Sequence, residues 1–199
     1  MSEGIRIKVA GTAEDREMAF MIRSAVFIGE QKCPYFEEFD GNDYSATHLI
    51  GFCNDEPAAT ARLRYFSDCI KLERFAVRSE FRGTEITTCL IDFAFAFCQQ
   101  KGYTRVYGHA QKRLLRFWRK HGFRLMNKPP FHFSDAEYVA MVADIDPKSS
   151  ALGMMSDDTV LLRPEGNWDR PGILERSMMR PARDVPRDRG HGAGELSAS

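Results

Sequence analysis

Apolar and polar residues alternate at the start of the chain. "IRIKVAG" places apolar side chains at every second position, the period of a half-buried strand. Thr12 follows as a helix cap, with Glu14 and Asp15 in the first turn, where carboxylates suit the positive end of the helix dipole. Met18, Met21, Ile22 and Val26 predict one buried stripe along that helix. A polar and aromatic segment, "GEQKCPYFEEFDGND", then breaks the pattern with Pro34 and Gly41. "ATHLIGFC" and "AATARLRYF" flank "NDEP" and predict antiparallel strands joined by a turn; "CIKLERFAV" predicts a third. Helical spacing resumes from Gly83, with Ile86, Leu90, Phe93 and Phe97 on one side and Gly102 as terminator. "TRVYGHA" predicts a strand, "QKRLLRFWRKHG" a short helix closed by Gly122, and "EYVAMVADI" a last strand.

Past Pro147 the texture changes. "RPEGNWDRPGILERSMMRPARDVPRDRGHGAGELSAS" is rich in Pro, Gly and Arg and holds no sustained period. Residues 1–146 are therefore expected to form one domain. Residues 147–199 are expected to form an extended tail, partly docked through Leu161, Leu162, Trp168 and Leu174 and partly disordered from Arg180 onward. At 199 residues the chain is long enough to bury a full core. Lys plus Arg number 28, as do Asp plus Glu, so no global field favours nucleic acid or an anionic membrane. The five cysteines (Cys33, Cys53, Cys69, Cys89 and Cys98) lack CxxC spacing, which points to reduced thiols rather than a zinc site or disulfide framework. No signal-peptide core or membrane-length apolar stretch is present, so a cytoplasmic protein without nucleic-acid or membrane partners is expected.

The order of predicted elements, with "LERFAVRSEFRGTEI" and "FWRKHGF" at these places, resembles the GNAT superfamily of N-acetyltransferases over residues 5–146. "VFIGEQKCPYFEEFDGND" followed by "ATHLIGF" is similar to its small stand-alone bacterial ElaA-like branch. The resemblance implies an α/β (α+β) fold: a mixed, mostly antiparallel central sheet of about six to seven strands flanked by helices, with a V-shaped splay after the fourth strand. It implies acetyl-CoA as co-substrate, no metal, a small-molecule amine as acceptor, and leaves a homodimer open.

"RSEFRGTEITTCLI" occupies the place of the family's phosphate loop, which runs Arg-Gly-x-Gly-x-Gly or Ala. Arg82 and Gly83 match; Glu85 and Thr87 depart. Successive N–H groups ahead of a helix form a site for a pyrophosphate. Glycine serves there because no Cβ holds the phosphate away. The resemblance assigns cofactor contacts to Arg82, Gly83, Thr84, Glu85, Ile86 and Thr87 on this loop. It adds Phe75, Ala76 and Val77, where the pantetheine arm would pair with the splayed strand, and Gln111 and Trp118 opposite them. Read without the family, the stretch is a strand-to-helix connection capped by Thr84.

Glu73 is the candidate for the chemistry. Acyl transfer to nitrogen needs a neutral amine, and a carboxylate in the cleft can take the ammonium proton directly or through water. A structural pairing with Arg62, Arg64 or Arg74 is the alternative. The family's general acid is a Tyr in an "FY" pair, and here the pair is Phe117-Trp118, whose indole gives no proton. His109 is a secondary base candidate. Glu37, Glu38, Asp40 and Asp43, interleaved with Tyr35, Phe36 and Phe39, would suit a cationic acceptor, or else form a solvated charge run.

The expected function is transfer of an acetyl group from acetyl-CoA to a primary amine by direct attack in a ternary complex. Two alternatives stand beside it. One is an N-acyl amino-acid or acyl-homoserine-lactone synthase-like enzyme fed by acyl-carrier protein. The other is a non-catalytic ligand-binding module of the same fold.

Overall fold

The computed structural model describes residues 4–133 and 136–181. Strands β1 (Ile5–Val9), β2 (Thr47–Cys53), β3 (Glu56–Tyr65) and β4 (Ile70–Val77) lie antiparallel in sequence order. β5 (Arg105–Gln111) joins β4 in parallel. β6 (Arg124–Leu125) and β7 (Phe131–Phe133) both pair with β8 (Ala136–Asp144), which itself pairs antiparallel with β5. The mixed, mostly antiparallel sheet thus has eight strands rather than six to seven. β6 and β7 are the additions, and runs of two and three residues are too short for alternation to reveal them.

α1 (Ala13–Arg23) begins as its sequence predicts. The Thr12 hydroxyl accepts from the Asp15 N–H at 3.1 Å and the Asp15 carboxylate accepts from the Thr12 N–H at 3.3 Å, a reciprocal capping box. The buried face differs from the predicted stripe. Met21 is 62% exposed, whereas Asp15, Ala19, Ile22 and Arg23 are buried. A charged residue holds a core position here because carboxylates from the following loop neutralise it, which hydrophobic periodicity does not register. Beyond Arg23 the chain continues as a π-helical segment, Ser24–Glu30, and the loop after it contains the single turn α2 (Tyr35–Glu38).

Two layers cover the sheet. On one face α3 (Ile86–Gln100) and α4 (Leu115–Lys120) bury the main core, with Ile86, Leu90, Ala94 and Trp118 against Leu49, Leu63, Leu72, Val106 and Met141. On the other face Ile22 and Val26 pack on Ile50, Phe52 and Ala76. Chain beyond Pro147 returns along α3. Backbone N–H groups of Lys148 and Leu152 donate to Gln99 and Gln100 carbonyls, Lys101 pairs with Glu165, and the Trp168 ring lies 5.3 Å from that of Phe97. α5 (Asp158–Leu161) and α6 (Ile173–Met178) are short, and Leu161, Leu162 and Leu174 are exposed while Trp168 is part-buried. The disorder expected from Arg180 falls almost wholly on residues 182–199, outside the described residues. Among the described residues no helix is long and apolar enough to cross a membrane.

Candidate active site

β4 and β5 pair only at Ile70, Lys71 and Leu72 opposite Val106, Tyr107 and Gly108. Beyond that point the strands part, giving the splay expected after the fourth strand. Its cause is local. Between the pairs Arg62–Glu73 and Thr60–Ala76, β4 carries one residue more than β3, which is a β-bulge. Arg74 occupies the bulge at φ +51, a conformation costing about 1–3 kcal/mol. Its guanidinium offsets that by donating to the Glu37 carbonyl at 2.6 Å and the Asp40 carboxylate at 3.1 Å, and it pairs with the Glu38 carboxylate at 3.1 Å. At the vertex, a Cβ on Gly108 would sit 3.2 Å from the Leu72 carbonyl oxygen, so glycine lets the strands stay close until they diverge.

Glu73 stands at this vertex, on the face away from α3. Its Oε1 accepts from Arg62 Nε at 2.9 Å and Nη2 at 2.8 Å, while Oε2 pairs with Lys71 Nζ at 2.7 Å. Arg62 is fully buried and its remaining N–H groups reach Asp40 at 2.7 and 2.8 Å and Asp43 at 2.8 Å. Arg23, also fully buried, pairs with Glu38 and with Asp43 at 2.6 Å. The acidic loop therefore points inward: Glu38, Asp40 and Asp43 neutralise Arg23, Arg62 and Arg74 rather than forming a solvated run. Burial alone would raise the Asp40 and Asp43 carboxyls, but hydrogen bonds from these arginines hold both below the usual range. For Glu38 burial wins over Arg23, and its carboxyl is pushed up.

The loop after β4 turns through Gly83 at φ +80, where no atom lies within 4 Å of a built Cβ. The helix begins at Ile86, later than the Gly83–Thr84 start the sequence suggests. Thr84 does not cap it, since its hydroxyl donates to the Phe81 carbonyl at 2.7 Å. Glu85 takes the cap position without a side-chain hydrogen bond and is exposed. The first-turn N–H groups, Thr87 among them, therefore have no side-chain cap among the described residues. Arg82 donates to the Val77 carbonyl at 3.0 Å and pairs with Glu30.

Across the splay, Trp118 is buried edge-on against Phe75 at 5.4 Å and Phe123 at 5.2 Å. Ala76 packs towards α1 and Val77 towards α3. Gln111 donates to the Tyr138 hydroxyl at 3.1 Å. His109 is hydrogen-bonded to the Tyr107 hydroxyl at 2.6 Å, and crowding by its neighbours, then the Lys71 ammonium, pushes its imidazole down. On this face an open cleft of about 430 Å³ begins at Lys71, the partner of Glu73 Oε2, and extends away from the splay; Glu73 itself is not in its lining. Its lining includes Lys71, Tyr107, Arg105, Arg124, Lys128 and Cys69, drawn from separate elements. Sequence reading missed this cluster. The only trace is polar alternation, Lys71-x-Glu73 and Arg105-x-Tyr107-x-His109-x-Gln111. Among the described residues no group of three or more His, Cys, Asp or Glu side chains could hold a metal ion.

Residues 16–123 match the family described as Acetyltransferase (GNAT) family. The chain is 25% identical over 136 residues to the uncharacterized N-acetyltransferase YjcF of Bacillus subtilis, covering 68% of this chain and 97% of that protein. It is 32% identical over 108 residues to Protein ElaA of Escherichia coli, covering 51% and 70%. The crystal structure of Escherichia coli ElaA superposes with a TM-score of 0.62 at 24% identity over 70% of this chain and 97% of that one. A GNAT family acetyltransferase from Elizabethkingia anophelis, solved with acetyl-CoA bound, shares the fold at a TM-score of 0.54 and 15% identity over 72% of this chain and all of that one.

Proposed function

Because the chain belongs to the GNAT family of acetyltransferases, we propose that it moves an acetyl group from acetyl-CoA to the primary amine of a small molecule. The observation that carries this reading is the splay of β4 from β5 immediately after Leu72, with Glu73 at its vertex. Along Phe75, Ala76 and Val77 the β4 edge makes no ladder with β5, which suits the amide groups of a pantetheine arm, although the Val77 carbonyl already accepts from Arg82. The uncapped first turn of α3 suits its pyrophosphate, with Gly83, Thr84, Ile86 and Thr87 at the approach and Arg82 beside them. Exposed Glu85 weakens that site by about 1 kcal/mol, the scale of a contact repulsion in high dielectric. Gln111 and Trp118 border the opposite side, and the relative solved with acetyl-CoA supports the choice of donor.

Glu73 serves as general base in this reading. Arg62 fixes Oε1 from the buried side, and Oε2, held by Lys71, is the side an acceptor ammonium approaches. The carboxylate takes the first proton, the neutral nitrogen attacks the thioester carbon, and the tetrahedral intermediate expels the thiolate as the nitrogen gives its second proton to water, leaving the amide. That thiolate collects its proton from water, since Trp118 stands where the family's Tyr would donate. Direct attack is favoured over a cysteine relay because burial, then Asp68, pushes the Cys69 thiol up, away from the nucleophilic thiolate. Calorimetric titration with acetyl-CoA, followed by initial rates with a panel of primary amines, tests the reading. Saturable binding and intersecting double-reciprocal plots are expected. Binding of an acyl-carrier-protein donor instead would hand the site to the synthase-like alternative.

A further inference from the structure

Lys71, Tyr107, Val142 and Arg124 are register partners across β4, β5, β8 and β6, so they form one row on the sheet face that carries Glu73. Residues paired in this way present their side chains to the same side, at about 4.8 Å per strand. Within the described residues no helix covers the part of this face beyond β4 that holds the cleft. Tyr107, Met126 and Val142 line it with apolar surface, and Lys71, Arg105, Arg124 and Lys128 line it with cations. Asp68 is the one acid among the lining residues.

The cations are incompletely neutralised. Arg105 and Arg124 share the single carboxylate of Asp144, at 3.8 and 2.8 Å. Lys128 lies 5.1 Å over the Tyr107 ring, and no carboxylate among the described residues pairs with it. Lys71 shares Glu73 with Arg62. The acids expected to attract a cationic acceptor are committed to buried arginines, so the open surface next to Glu73 is positive.

We infer that the acceptor is a short aliphatic amine carrying an anionic group, a carboxylate or a phosphate, which Arg124 and Lys128 hold while the amine reaches Glu73. This rests on the acetyl-transfer reading for the amine end only. Glu73 is two residues along β4 from Lys71 and one strand spacing from Tyr107, over whose ring Lys128 stands, so an amine at Glu73 and an anion at Lys128 would be separated by roughly 8 Å, while Arg124, roughly 16 Å from Glu73 across three strand spacings, reaches in from the far side. Methylenes between them would lie on Tyr107, Val142 and Met126.

A matched pair of probes tests this: 6-aminohexanoate and hexylamine, which differ by the carboxylate, with 4-aminobutyl phosphate as the phosphate arm. Calorimetric titration of the full chain, without donor, should show about tenfold or greater preference for an anionic probe over hexylamine, weakening as salt rises. Whichever anionic probe binds more tightly identifies the anion. Arg124→Ala combined with Lys128→Ala should erase the preference, the two amines then binding alike. Equal binding of all three probes to the wild-type chain, or a preference for hexylamine, overturns the inference whatever acetyl-CoA does. Failure of acetyl-CoA to bind alongside a clear anionic preference would instead remove the donor assignment and leave the cleft standing.

Discussion

Arg62→Met is the sharpest test of how the vertex is held. The Arg62 guanidinium has five N–H donors, and every one meets a carboxylate oxygen: Glu73 at 2.9 and 2.8 Å, Asp40 at 2.8 and 2.7 Å, Asp43 at 2.8 Å. Methionine fills much of the same volume but leaves three carboxylates short of a partner. Replacing a whole buried ion cluster by apolar residues is often neutral, but removing one member costs about 3–5 kcal/mol, because uncompensated charge stays behind. For a chain of 199 residues that corresponds to a fall in Tm of roughly 6–20 °C. Urea melts of both proteins between pH 3 and pH 8 measure it. The sign of the pH dependence is set by Asp40 and Asp43, whose folded carboxyls Arg62 holds below the usual range. Their contribution is present above about pH 4 and is lost as pH falls through the folded values, so the gap between the proteins should narrow below about pH 4. Arg62→Lys should recover part of the loss, since a point charge with three donors cannot serve three carboxylates in a planar fork. A Met variant within about 1 kcal/mol of wild type at pH 7 would refute the argument.

Further expectations concern the site and its titration. Glu73→Gln should lower acetyl transfer by about two to four decades while acetyl-CoA affinity, read by calorimetry, stays within a factor of two or so; normal turnover at pH 7 would make Glu73 structural. Glu85→Gly should tighten acetyl-CoA binding several-fold, most visibly at low ionic strength, and Arg82→Ala should loosen it; a salt-independent response would show that Glu85 lies outside the phosphate field. Wild-type stability should begin to fall below about pH 6.5. Burial keeps the His48 imidazole down, and among the described residues its Nδ1 has no partner, so the folded chain resists a proton that the unfolded chain takes. His48→Gln should reduce that first stage of the decline, to which His109 also contributes, and keep the second, below about pH 4.

Much of the fold was legible because its elements carry local periods or continuous apolar runs. Alternation in "IRIKV" and helical spacing through Ile86, Leu90 and Phe97 report one buried face, and the apolar run in "THLIGFC" reports a strand buried on both. The same logic failed at Met21 and Arg23, since a buried cation follows its counter-ions, which lie 15 to 20 residues away in sequence. The order of elements and the stretch around Arg82 and Gly83 were enough to point to the family that the comparisons show. Glu73 was legible as a candidate, but its partners were not. Arg62 was one of three possible partners, and Lys71 was not among them.

The sequence by itself determined the local periods, the Thr12 cap and the turn between β2 and β3, because each is encoded within a few consecutive residues. Tertiary structure alone decided where charge remains free. The acidic loop looks like an open anionic wall in one dimension, yet in three it folds over Arg23, Arg62 and Arg74 and is consumed. Arg105, Arg124 and Lys128 look like unrelated surface cations until register sets them around one cleft. Short-range pattern records whether a residue is buried, but the sign of the field at a site is a sum over groups distant in the chain, and only the fold brings them together.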